Sequence, residues 1–257
     1  NLTFFREKFL NYLHYYLYVG GMPEAVEEFA ENRDWRSVRH IQDEILMSYR
    51  NDFSKHAPAE SVPRINMVWE SIPNQLAKEN KKFVYGIIKE GARAKDYELA
   101  IQWLTDAGLL HKVYNVSKPA LPLSAYKELS AFKLYHNDVG LLGAMSHLSA
   151  KTIVTGNDVF TEFKGALAEQ YVFQQLMQQE SMVINYFTFC NSKYEIDFLI
   201  QNEDDEIIPI EVKAGENLKA NSFKLFCNKY HPVKAIRTSV ADYRQEDNLQ
   251  NIPLFAI

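Results

Sequence analysis

A chain of 257 residues with 47% hydrophobic and 24% charged side chains has the make-up of a folded globular protein, which excludes the disordered, collagen-like and disulfide-stapled classes. Its net charge of −5 excludes a protein that coats nucleic acid over its whole surface, yet leaves room for a local basic patch. No apolar stretch reaches the ~18 residues needed to cross a bilayer and no signal peptide opens the chain, so a cytoplasmic protein with no membrane partner is expected. Cys190 and Cys227 lack a C-x-x-C partner or a His at ligand spacing, which predicts small apolar fillers rather than a zinc site or a disulfide.

The length exceeds the usual ~100 to 150 residues of one domain, and the pattern divides into three stretches: 1–57, 58–150 and 151–257. In the first, Phe5, Phe9, Leu10, Leu13, Tyr16 and Leu17 recur at helical spacing, Gly20-Gly21-Met22-Pro23 breaks the run, and Glu24-Ala25-Val26 restarts it. Val38, Ile41, Ile45, Leu46 and Tyr49 mark another long helix, giving a small helical bundle. The aromatic side chains near Tyr15, Tyr16 and Tyr18 are core groups on the plainer reading; on another they form an oligomerisation face. The chain opens without Met in a helix-like segment, which predicts a preceding part.

In the second stretch Val62, Ile65, Val68, Trp69, Ile72 and Leu76 mark one helix, and Tyr97, Ile101 and Leu104 another that stops at Asp106-Ala107-Gly108. Leu109 to Tyr114 and Phe132 to Tyr135 then read as two strands, so helices followed by a hairpin suggest a winged helix-turn-helix. Lys78, Lys81, Lys82, Lys89, Arg93 and Lys95 outnumber Glu79 and Glu90 between residues 78 and 95, a face that a DNA duplex can use by releasing counterions. The plainer reading is a solvated helical connector, and Tyr97, Glu98 and Gln102 offer no clear base-reading pattern. Arg50 is expected to pair with Asp52 or Glu44.

The third stretch carries the chemistry. Glu169 sits on an amphipathic run with Val172, Phe173 and Leu176 as its buried stripe. Tyr194 to Ile200 and Ile208 to Lys213 flank the polar turn Asn202 to Asp205 and predict a hairpin, followed by a helix around Ser222 to Phe226 and a strand over Val233 to Ile236. Strand alternation places Glu211 and Lys213 on one face, with Asp197 meeting them from the neighbouring strand. Two carboxylates beside an ammonium suit a hard cation and a phosphodiester substrate. An exposed ion pair contributes only about 0 to 1 kcal/mol, so stability alone gives little reason for three ionisable groups among such apolar neighbours.

Asp197 followed by Glu211-Val212-Lys213 resembles the PD-(D/E)xK nuclease-like superfamily, with Ile rather than Pro before the Asp. Gly20-Gly21-Met22-Pro23-Glu24-Ala25, Tyr49 to Phe53, Ser71 to Leu76 and Lys133 to Leu142, in that order, resemble AAA-type ATPases of bacteria and archaea whose C-terminal part is a domain of unknown function with that fold. The resemblance implies an α+β, α/β multidomain protein: a helical bundle, a winged-helix-like middle and a restriction endonuclease-like mixed sheet. It also implies Asp197, Glu211 and Lys213 as catalytic residues, and Glu169, Asp197 and Glu211 as ligands of Mg²⁺ or Mn²⁺. No G-x-x-x-x-G-K-[ST] loop is present, so neither ATP binding nor ATPase activity is expected of this chain, whose partner would be its own N-terminal ATPase domain. Two functions follow: metal-dependent DNA hydrolysis, or a non-catalytic module that binds nucleic acid or protein and regulates the ATPase. A third is a homo-oligomerisation domain.

Overall fold

A computed structural model describes residues 2–78, 82–154, 161–179, 182–216, 218 and 220–257. The chain divides into two compact units, unit 1 comprising residues 1–112 and 134–170, and unit 2 residues 113–133 and 171–257.

Unit 1 is helical because its apolar side chains recur at intervals of three and four. It holds α1 (Leu2–Val19), α2 (Pro23–Asn32), α3 (Trp35–His56), α4 (Val62–Leu76), α5 (Tyr85–Ile88), α6 (Ala94–Asp106), α7 (Val139–Met145) and α8 (Ala150–Val154), with most of α9 (Thr161–Leu176). Helix α3 starts where the Asp34 carboxylate accepts the Arg36 amide at 3.0 Å, and α4 carries Pro in its first turn, where no amide donor is needed. Helix α4 packs on α6, and α7 on α1 and α3, around Phe53, Ile65, Val68, Trp69, Ile72, Ile101 and Leu104, all 0–1% exposed. Tyr15 and Tyr18 lie 5.3 Å from the Trp35 ring, so these aromatics pack against α3.

The break after α1 is a docking point. Asp138 caps α7, accepting from Leu141 N at 2.9 Å, and its other carboxylate oxygen accepts from Gly21 N at 2.6 Å. A β-carbon on Gly20 would lie 2.2 Å from the Asp138 carboxylate, and one on Gly140 2.6 Å from the Val19 carbonyl oxygen. Gly20 also has φ +73°, a conformation other residues seldom adopt. The Gly-Gly-Met-Pro and Asn-Asp-Val-Gly segments, far apart in sequence, are therefore two halves of one joint.

Among the described residues eight strands form one mixed sheet in the order β2-β1-β3-β4-β5-β6-β8-β7. They are β1 (Leu110–Val116), β2 (Lys127–His136), β3 (Val183–Phe189), β4 (Tyr194–Gln201), β5 (Ile207–Val212), β6 (Ala235–Ser239), β7 (Arg244–Glu246) and β8 (Leu249–Pro253). The strands expected to form a wing instead join this sheet, β1 running parallel to β3 with Tyr114 opposite Asn185. Strands β3, β4 and β5 form an antiparallel meander, and α10 (Asn221–Tyr230) carries the chain to β6, parallel to β5. Phe223 and Phe226 of α10 cover Phe187, Phe189, Ile196 and Leu199, while Phe173 at the end of α9 stacks on Phe198.

Both cysteines are free. Cys227 is half-buried as a filler, whereas Cys190 is exposed in a left-handed turn with φ +52°, contrary to expectation, because the β3–β4 connection holds it outside the core.

Candidate functional site

The hairpin of unit 2 delivers three of the expected residues. Phe198 of β4 faces Ile210 of β5, so the next positions outward are Asp197 and Glu211. Asp197 is half-buried and its carboxylate accepts the Val212 amide at 2.8 Å, while Glu211, 6% exposed, holds the Lys213 ammonium at 2.7 Å. Lys213 stands just past the end of β5, with its amide bound to the Thr238 carbonyl at 2.8 Å. The apolar neighbours explain this placement: Ile208 and Ile210 are buried on the opposite face, which turns the alternate residues, Glu211 among them, to this one. A register irregularity between Asn185 and Phe187 sets one residue of β3, Tyr186, against two of β4, Asp197 and Phe198.

Glu169 belongs to unit 1, where its carboxylate accepts the Tyr135 hydroxyl; the residue is 2% exposed. Among the described residues no group of three or more His, Cys, Asp and Glu side chains is gathered as a cation cage. What is assembled is a pair of carboxylates with one ammonium.

The basic segment is less uniform than its composition. Lys78 is half-buried, donating to the Gln75 side chain and the Lys82 carbonyl at 3.3 Å each, and burial lowers its pKa. It works as a clasp at the end of α4. Lys82, Lys89, Arg93 and Lys95 are exposed, and Lys81 lies outside the described residues. Arg50 pairs with Glu70 of α4 at 3.3 Å, not with Glu44 or Asp52, which lie within reach of His40 and His56 on their own helix. The expected pairing fails because the Arg50 side chain leans across to α4.

Two features escaped the sequence. The Lys133 side chain is 0% exposed and ion-paired with Glu195 at 2.7 Å, its ammonium 4.9 Å from the Tyr186 ring centre, and burial raises the Tyr186 hydroxyl pKa well above normal. On β6, Arg237 stands directly beside Glu211 in the parallel register, 9% exposed, with Nε donating to Asn251 Oδ1 and Nη1 to the Leu218 carbonyl, both at 3.2 Å. The first had no signal beyond a Lys in an apolar run. The second was detectable only after the strands had been paired.

A family model described as a domain of unknown function, DUF8612, matches residues 10–152, more than half of the chain. The chain belongs to that family. Residues 164–257, which hold the hairpin and α10, match a second model, the domain of unknown function DUF4143. The chain is 24% identical over 250 residues to the uncharacterized protein MJ1544 of Methanocaldococcus jannaschii, an alignment covering 95% of this chain and 49% of that protein. The chain thus spans about half the length of the curated relative it matches. No solved structure matches it.

Proposed function

We propose that this DUF8612 chain is the C-terminal module of an AAA-type ATPase and that the hairpin of unit 2 acts on the phosphodiester backbone of DNA with Mg²⁺ or Mn²⁺. The observation that carries the reading is the Glu211–Lys213 ion pair at the end of β5, with the Asp197 carboxylate holding the amide of the residue between them, Val212. The order α9, β3-β4-β5 meander, α10, parallel β6 supports a nuclease-like fold for this unit. Magnesium is commonly held by only one or two carboxylates plus water and substrate phosphate, a requirement that Asp197 and Glu211 fit without Glu169. Such an ion supplies charge stabilisation to a phosphoryl oxygen and acidifies water. The chain's own part would be to present carboxylates from the adjoining strands β4 and β5, to exclude water on the apolar side through Ile208 and Ile210, and to hold the Lys213 ammonium where it orients the nucleophile.

Calorimetric titration with Mn²⁺ tests the ion. Wild type is expected to bind and Asp197→Ala to bind at least about tenfold more weakly, a difference of ~1.4 kcal/mol. Equal heats, or none from either protein, remove the metal. Incubation with single- and double-stranded DNA and Mg²⁺ tests the chemistry, and cleavage that survives Lys213→Ala would belong to some other centre.

A second reading, a non-catalytic module that signals partner binding to the ATPase, is favoured by the same contacts viewed as clamps. The Asp197 carboxylate already holds the Val212 amide and Lys213 already closes on Glu211. Mn²⁺ binding separates the two.

A further inference from the structure

Arg237 is nine-tenths buried, yet the two groups that accept its hydrogen bonds, the Asn251 side-chain oxygen and the Leu218 carbonyl, are both uncharged. Its remaining nitrogen, Nη2, has no hydrogen-bond partner among the described residues. Neutral acceptors compensate a buried guanidinium poorly, and the neighbouring Glu211 carboxylate is already engaged by Lys213, so a natural complement is an anion that arrives from outside. The guanidinium is also fixed in place. Asn251 sits opposite Arg237 on β8 and is 1% exposed; its oxygen takes the Ser239 hydroxyl at 3.1 Å as well as Arg237, and its amide nitrogen donates to the Asp242 carbonyl at 2.8 Å. Nε and Nη1 are thus pinned from two sides, and Nη2 is left over in a set direction.

The location gives this leftover donor a meaning. Arg237 is the β6 neighbour of Glu211, two residues from Lys213, on the strand whose Thr238 carbonyl holds the Lys213 amide. We propose that Arg237 is a phosphate-binding residue of the unit 2 site: Nη2 donates to a non-bridging oxygen of a DNA phosphodiester lying across β5 and β6, and Asn251 is the positioning residue that aims it. The inference rests on the reading of unit 2 as a phosphodiester-binding site. A fixed, poorly hydrated guanidinium suits this role better than a lysine, because less freedom is lost when the anion arrives.

The test measures binding rather than cutting. Anisotropy of a fluorescein-labelled DNA duplex is followed with the full chain in Ca²⁺, across a salt series, for wild type, Arg237→Gln, Arg237→Lys and Asn251→Ala, with thermal melting as the check on folding. Arg237→Gln is expected to weaken binding about tenfold and to flatten the dependence of log affinity on log salt by about one unit, since one phosphate contact is lost. Arg237→Lys and Asn251→Ala keep the charge, so they should weaken binding several-fold with the salt slope unchanged; they decide the matter should Arg237→Gln not fold. Wild-type affinity and slope in the folded variants overturn the role of Arg237 and leave the phosphodiester reading standing. No duplex binding by wild type overturns both.

Discussion

Asp138 receives amides from Leu141 on its own helix and from Gly21 after α1, so removing its carboxylate strands two donors at once. Asp138→Ala is expected to cost about 2–3 kcal/mol, read as a lower urea midpoint with unchanged slope. Gly140→Ala, whose new β-carbon would meet the Val19 carbonyl oxygen at 2.6 Å, should cost about 1–3 kcal/mol. Gly165→Ala has nothing within 4 Å and lies inside α9, so the same substitution there should be neutral or stabilising by up to about 1 kcal/mol. His136 adds a pH dependence. Burial, the largest cause, lowers its pKa to about 3 from 6.5, so the folded state keeps the ring neutral while the unfolded chain takes up a proton below 6.5. Its contribution is therefore complete above pH 6.5 and lost towards pH 3, at up to about 1.4 kcal/mol per pH unit in that window. Melting between pH 7 and 4.5 should show a steeper fall for wild type than for His136→Gln; parallel curves would contradict the assignment.

At the scale of elements, two apolar runs flanking a polar turn made the β4–β5 hairpin legible in the sequence, and Ile208 and Ile210 of the second run are indeed buried. Helix α10 was legible from its spacing for the same reason. Phe226→Ala, which opens a hole among Phe187, Phe189 and Tyr230, is expected to cost about 3–5 kcal/mol and to be visible in calorimetric melting of unit 2. Strand β7 was not legible: Arg244, Gln245 and Glu246 are all exposed at the sheet edge and leave no apolar trace. Nor was the membership of β1 and β2 in the large sheet, since helices followed by two strands fit a separate wing equally well. In the candidate site, Asp197, Glu211 and Lys213 form a local motif and could be read directly. Arg237 and Arg50 could not, because each finds its neighbours on another strand or helix, and only pairing reveals them.

For the molecule as a whole, a net charge of −5 means that any polynucleotide contact must be local. If the exposed basic residues of unit 1 share in that contact, Lys82→Glu with Lys89→Glu should lower duplex affinity about tenfold and flatten its salt dependence. Unchanged affinity would confine the contact to unit 2. Among the described residues no helix is long and apolar enough to cross a membrane. The division of the chain also has a practical consequence. Unit 2 borrows residues 113–133 from within the span of unit 1, so the backbone changes unit three times, after residues 112, 133 and 170. A gene cut at any one of those points strands part of one fold on the other fragment, and a stop codon before α10 still leaves residues 113–133 behind without their partners. Shuffling such a protein by simple end-to-end fusion would break it, so the two halves are expected to be inherited together, and a self-sufficient unit 2 would need its inner loop and its tail spliced into a new order.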